Sequence, residues 1–312
     1  MRSVVAWALA IPCAAWAAMR LLGLERGFPL VPLVSFTPFV VVAAVVVVAI
    51  ALVLRRRSPA LLAAAAALAL ALVIAPRALG GPTEPKDGAG PSLRVLTINM
   101  HFGEASAPAV VALAQRLHAD VLSVQELTPE LVVRLNRAGL GDLMPHYVLA
   151  PEERGAGTGL YARVPLRALP RPAGTHNVLA TAAARVPRAP AVQLVAVHIA
   201  APHRDAVGVW DSDLRALPAA EPDGPLRILA GDFNATLDHA DLRRVIGTGY
   251  EDAAAVVGAG LDGTWPEGRH IPPAVTIDHV LADKRCGVRA VSVHTIPGTD
   301  HRAVFAELVL PR

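Results

Sequence analysis

The chain has 312 residues, 54% of them hydrophobic, with a mean hydropathy of +0.45. That is too apolar for an average soluble protein, and the excess is concentrated in residues 4–75, which are dominated by Ala, Val, Leu and Ile. From residue 93 onward 21 Lys and Arg stand against 23 Asp and Glu, so the formal +3 arises before that point, and the remainder lacks the basic excess usual in a nucleic-acid binder.

Three apolar runs occupy 4–22, 33–54 and 60–75. A bilayer core of about 30 Å needs roughly 20 apolar residues in a helix. The first two runs meet that length and the third is marginal, so about three transmembrane helices are expected over 1–75. Pro12, Pro32 and Pro38 fall in or beside the runs, which membrane helices tolerate. No small-residue cleavage site precedes the second run, which favours a retained helix over a signal peptide.

Arg55, Arg56 and Arg57 separate the second and third runs and belong on the cytoplasmic side, as does Arg2. Three spans then put the remaining chain outside the cytoplasm, as part of a multi-pass cell-membrane protein; two spans would reverse this. Residues 76–92 are rich in Pro and Gly and read as a linker. Cys13 and Cys286 lie in different parts of the chain and do not suggest a disulfide.

Beyond the linker, 93–98 alternates as a strand and ends at Asn99. Ser106 caps an expected helix to about 117, with Pro108 in its first turn. A buried strand over 120–124 ends in Gln125 and Glu126, and Thr128-Pro129 opens a second helix to about 137. Strand–helix–strand–helix at this spacing indicates α/β layering.

Strands are expected at 146–149, 158–162, 166–169, 179–186 and 192–197, the last ending at His198. A helix follows over 205–217. Residues 226–230 form a short apolar run leading into Gly231-Asp232-Phe233-Asn234, and Asp238 caps a short helix to 245. The last strands are 275–281, 288–293 and 303–310. Asp278 falls inside the first of these, and Asp300-His301 just before the last.

Polar residues at the ends of apolar strands are unusual in this number, because a buried polar group is costly unless paired. Singly, Glu126 could serve only a helix N-terminus, and Asn99 and His198 only turns. Asp278 between apolar neighbours needs a partner, for which His301 is a candidate. Together these residues point to one site.

The set Thr97-Ile98-Asn99, Gln125-Glu126, Val197-His198, Gly231-Asp232-Phe233-Asn234, Ile277-Asp278-His279 and Thr299-Asp300-His301 resembles the endonuclease/exonuclease/phosphatase, or DNase I-like, superfamily. The matches fall in the family's order and cover nearly all of 93–312. The resemblance implies a four-layer α/β/β/α sandwich and metal-dependent cleavage of phosphate esters. It implies a metal set of Asn99, Glu126 and Asp300 holding Mg²⁺ or Mn²⁺, which favour oxygen ligands.

It also implies that Asp232 handles the attacking water, that Asn234 and His198 meet the phosphate, and that His301, paired with Asp278, offsets transition-state charge. A His at 198 leans away from the family's abasic-site endonucleases, where this position resembles Tyr. His101 and Trp265 are further candidates for the cleft, and His203 reads more simply as an exposed loop residue.

The expected activity is that of a membrane-anchored phosphoesterase acting on a phosphodiester of nucleic-acid or phospholipid type. The alternative is a catalytically inactive, membrane-tethered module of the same fold. The expected partners are the phosphate-ester substrate, the lipid bilayer and, as an open choice, nucleic acid; no obligate protein partner is implied.

Overall fold

The computed structural model describes residues 1–268 and 274–312. Four helices come first: α1 (Arg2–Leu22), α2 (Leu30–Val34), α3 (Thr37–Val53) and α4 (Arg57–Ile74). Small residues let α1, α3 and α4 approach closely: Ala10, Ala17, Ala44, Ala63 and Ala67 share one buried cluster. Two stretches, Arg2–Leu22 and Arg57–Arg77, are long and apolar enough to cross a membrane, whereas Thr37–Val53 has 17 residues.

The expected uniform second span is thus divided. Pro38 fits the first turn of a new helix, where its missing N–H costs nothing, so α3 starts at Thr37 and residues 33–34 belong to α2. The run expected to be marginal instead lies within one of the two full-length stretches.

The remaining chain begins with β1 (Ala89–Asn99), α5 (Ala107–Arg116), β2 (Val121–Gln125), α6 (Pro129–Arg137), α7 (Leu140–Leu143), β3 (His146–Ala150) and β4 (Thr158–Ala162). It continues with β5 (Leu166–Ala168), β6 (Thr181–Ala184), β7 (Val192–His198), α8 (Val207–Ala216), β8 (Leu226–Asp232), α9 (Ala240–Gly247) and β9 (Tyr250–Asp252). It closes with α10 (Ala253–Val256), β10 (Asp278–Asp283), β11 (Gly287–Thr295) and β12 (Arg302–Pro311).

The strands form two six-stranded sheets, ordered β11-β12-β1-β2-β4-β3 and β5-β6-β7-β8-β10-β9. Their facing sides share a core that includes Val95, Val121, Leu160, Leu194, Ile228, Val280 and Val304. The outer side of the first sheet is covered by α5, α6 and α7 through Val110, Leu131 and Leu140. The outer side of the second is covered by α8 and α9 through Trp210, Leu214 and Leu242, and Val31 of α2 joins that cluster. This is a mixed α/β fold of two sheets with helices on both outer faces. Ser123 Oγ crosses the core to donate to the Ala230 carbonyl at 2.8 Å, so one of the few polar groups between the sheets is satisfied.

Residues 76–92, expected as a linker, are held to the sheets. β1 starts at Ala89, and the Thr83 N–H donates to the Val288 carbonyl at 2.8 Å. Asp238 is not the expected helix cap: α9 has His239 at its N-cap position. The Asp238 carboxylate instead accepts from Arg20 Nε at 2.6 Å and from two Arg77 nitrogens at 2.9 and 2.7 Å. Glu25 accepts from the Ala240 N–H, and His239 Nε2 lies 2.9 Å from the Val31 carbonyl. The ends of α1 and α4 therefore grip the segment that follows β8.

Candidate active site

Strand register builds the site. β7 and β8 are parallel with His198 opposite Asp232, and β8 and β10 are antiparallel with Asp232 opposite Asp278. In the other sheet β1 and β2 are parallel, with Asn99 opposite Gln125 and Glu126 next along the chain. The ends of five strands from two sheets thus meet. Gly231 is required where β8 passes β7, because a Cβ there would lie 1.9 Å from the Val197 carbonyl oxygen.

A cleft of about 630 Å³ opens at this end, lined in part by Glu126, His198, Asp232, Asn234, Asp300 and His301. Asn99 and Asp278 stand behind it. Asn99 Nδ2 donates to Glu126 Oε1 at 3.0 Å and to Asp232 Oδ2 at 3.1 Å, while its Oδ1 accepts from the His101 N–H at 2.9 Å. The Asn99 amide thus links the two sheets' carboxylates and turns its nitrogen, not its oxygen, toward them. Asp232 Oδ1 accepts from the Asn234 N–H at 2.8 Å, and Asn234 Nδ2 donates to the Ile199 carbonyl at 2.9 Å.

His301 Nδ1 lies 2.9 Å from Asp278 Oδ2, and its Nε2 lies 3.9 Å from Asp232 Oδ2. Asp232, Asp278 and His301 present ligand-type atoms all within 4.8 Å of one another, a set of the composition that holds metal ions. Asp300 is engaged on both oxygens, by His101 Nδ1 at 2.6 Å and Trp265 Nε1 at 2.9 Å. Trp265 therefore neither sits in the core nor stands free in the cleft; it fixes a carboxylate. His203, expected as an ordinary loop residue, is exposed and lines the cleft.

Proton affinities diverge within the group. Burial, with the neighbouring Asp278, pushes Asp232 up to about 7 against the opposing charge of His301. Burial works to lower His301, but Asp278 chiefly, then Asp232 and Asp300, overcome it and raise that imidazole to about 10. Burial and the charge of His301 lower His198 to about 4, so it stays neutral. Its buried Nδ1 has no hydrogen-bond partner among the described residues. Against burial, hydrogen bonds from His101 and Trp265 hold Asp300 below the usual carboxylate range.

Backbone strain concentrates here. Of the eight described non-glycine residues with positive φ, five line the cleft: His101, Phe102, Glu126, Arg154 and Asn234. The turn at Glu126 lets its Oε2 accept from the Phe102 N–H. Gly155 closes over that contact, since a Cβ there would come 2.9 Å from Glu126 Oε2 and 3.0 Å from the Phe102 ring.

The structure also supplies supports that sequence reasoning missed. Asn177 Nδ2 donates to the His198 carbonyl at 3.1 Å, and Thr264 Oγ1 accepts from the N–H groups of Ile277 and Asp278 at 3.0 and 3.1 Å. Neither stands at a strand end, so no local pattern marks them.

A family model described as "Endonuclease/Exonuclease/phosphatase family" matches residues 96–301, and the chain belongs to that family. No curated protein is matched by sequence. Among solved structures, an endonuclease/exonuclease/phosphatase from Beutenbergia cavernae is 20% identical with a TM-score of 0.54, covering 70% of this chain and 72% of that one. Truncated Caenorhabditis elegans TDP2 is 16% identical with a TM-score of 0.56, covering 70% and 98%. D. rerio TDP2, solved in complex with a single-strand DNA product, is 15% identical with a TM-score of 0.53, covering 70% and 99%. These structures share the fold. Membership supports a hydrolase acting on phosphate esters, in a family typically dependent on a divalent metal.

Proposed function

We propose that this chain is a membrane-anchored, metal-dependent phosphoesterase that cleaves a phosphodiester by directing water onto phosphorus. The observation that carries this reading is the Asp278–His301–Asp232 alignment beside the Glu126 carboxylate, in one cleft. The donor set fits a hard cation. Glu126 and Asp300 present oxygens to the cleft, and neither is paired with Lys or Arg among the described residues. Glu126 and Asp300, with Asn99 orienting Glu126, would hold Mg²⁺ or Mn²⁺, which supplies charge neutralisation at the phosphoryl and leaving oxygens.

The chain's own groups divide the remaining work. Asp232, with its raised proton affinity, takes a proton from water near neutral pH. His301, held charged and oriented by Asp278, faces the phosphate and stabilises the charge that builds in the transition state. Asn234 and neutral His198, both beside Asp232, contact phosphate oxygens. The two long apolar helices support the anchor. Arg55–Arg57 lie at the start of α4 while Arg77, beyond its other end, is bonded to Asp238, so the domain stands opposite the basic turn. With that turn cytoplasmic, the domain is outside.

The test uses the full chain in detergent with bis-p-nitrophenyl phosphate, phospholipids and plasmid DNA, with Mg²⁺ or Mn²⁺ and with chelator. We expect metal-dependent turnover that falls about 10²–10⁴-fold in Asp232→Ala and in His301→Ala. Unchanged turnover in both variants, or none with either metal, rejects the reading.

A further inference from the structure

We propose that the phosphate ester taken by this site is carried on a membrane lipid, a conclusion that rests on the anchored phosphoesterase reading above. Three loops that carry the site from the second sheet are also the loops seated on the apolar helices.

After His198, the segment through residue 206 forms one wall of the cleft, with Ala200, Ala201 and His203. In the same segment the Arg204 guanidinium lies 4.8 Å over the Phe28 ring, on the turn between α1 and α2. After Asp232 and Asn234 come Leu237 and Asp238, which Arg20 and Arg77 hold. Before Asp278, residues 274–276 face Ser35, Pro38 and Phe39 across a small cavity of about 60 Å³. All these contacts involve one end of the helix bundle, between Arg20 and Phe39 and at Arg77. The catalytic end of the second sheet is therefore its bundle-facing end.

That end is also apolar on its surface. Leu22, Leu24, Phe28 and Leu30 are exposed around the α1–α2 turn, and Phe102 is 57% exposed at the rim of the cleft. An anchored bundle would bring these side chains to the level where acyl chains give way to headgroups. The cleft's charge favours one phosphate over a polymer of them. Among the described lining residues Arg154 is the one Arg or Lys, with His301 set deep beside Asp232, against Glu126, Glu153, Asp232 and Asp300. A nucleic-acid strand needs a basic track along its backbone. A lipid needs only to raise one headgroup into the cleft, and sharing a bilayer with the enzyme raises its effective concentration.

In the reaction the water oxygen bonds to phosphorus and the P–O bond to the leaving alkoxide breaks. The water gives one proton to Asp232, which later returns it to solvent, and the leaving alkoxide takes one proton from solvent and departs as an alcohol, so that one water is consumed and one P–OH and one alcohol are formed.

The experiment reconstitutes the full chain with Mn²⁺ in phosphatidylcholine vesicles doped with phosphatidylglycerol. Released water-soluble phosphate species are identified by mass spectrometry. The same lipids are also offered in separate, enzyme-free vesicles, beside bis-p-nitrophenyl phosphate and single-stranded DNA at matched phosphate. We expect lipid in the enzyme's own vesicle to turn over at least about 10²-fold faster than lipid in separate vesicles, and faster than either soluble substrate. Leu24→Asp, on the exposed turn and outside the cleft, should lower the own-vesicle rate and leave bis-p-nitrophenyl phosphate hydrolysis unchanged. Equal rates on own and separate vesicles, DNA or the soluble diester preferred over lipid, or an unaltered own-vesicle rate in Leu24→Asp overturns the lipid assignment while leaving the phosphoesterase reading intact. Absence of metal-dependent turnover on every substrate rejects both.

Discussion

Asp232 and His301 stand 3.9 Å apart in a buried pocket, the acid raised to about 7 and the imidazole to about 10. A base that must be ionised and an acid that must be charged give a rate that rises as Asp232 loses its proton near 7 and falls as His301 loses its own near 10. Asp278 is the chief group that raises His301. In Asp278→Asn the opposing effect of burial is left less countered, so His301 loses its proton at lower pH. We expect the alkaline limb of kcat/KM to move to lower pH, and the acid limb to move down with it because Asp278 also raises Asp232. A pH–rate profile checks this, and an alkaline limb in the same place would remove Asp278 from the role of holding His301.

At the scale of elements, the junction between the helices and α9 is the least ordinary feature. Arg20 and Arg77 share Asp238, with all three side chains more than nine-tenths buried. Removing one member of such a group strands the others without a counter-ion, so Asp238→Ala should cost about 3–5 kcal/mol in denaturant unfolding of the full chain. Burial works against it, but bonds from Arg77 and Arg20 hold Asp238 below the usual carboxylate range. Its contribution is thus present above the unfolded carboxylate's range and is lost as pH falls through the lower folded value.

His239 adds an acid sensitivity in a higher window. Burial lowers it to about 4 from 6.5. The unfolded chain therefore binds a proton that the folded chain refuses, and stability falls as pH drops from about 6.5 towards 4. His239→Gln should flatten the slope of unfolding free energy against pH across that window. An unchanged slope would mean that another group dominates it.

Caps with a local partner were legible in the sequence. Ser106 and Thr128 accept from the N–H groups three residues on, of Ala109 and Leu131, as their spacing indicates. Asp238 was not, because its partners come from 218 and 161 residues away, and a cap and an ion-pair acceptor look alike in a local window.

At the scale of the whole molecule, the spacing of strands and helices made α/β layering legible, while the two-sheet arrangement came only from the family resemblance that the polar residues at strand ends carry; register sets His198, Asp232 and Asp278 side by side. The seating of the helices was not legible, since it depends on contacts between segments that share no periodicity. It has its own test. A chain beginning at residue 79 lacks Arg20, Val31 and Arg77, so it should unfold at lower denaturant, and the cost of Asp238→Ala should largely vanish in it. An equal cost in both chains would show that the aspartate acts within the domain alone.

The Asp238 junction also orders events in time. Synthesis makes Arg20 and Arg77 well before the carboxylate that they will share, so for most of the chain's emergence the two guanidinium groups lack that partner. The alanine faces of the bundle lie within its own helices, but the carboxylate that Arg20 and Arg77 share arrives only with residue 238, six residues after Asp232. The contact that ties the bundle to the segment after Asp232 thus becomes available late in synthesis, and the contacts of residues 274–276 with the bundle and of β10 with β8 later still.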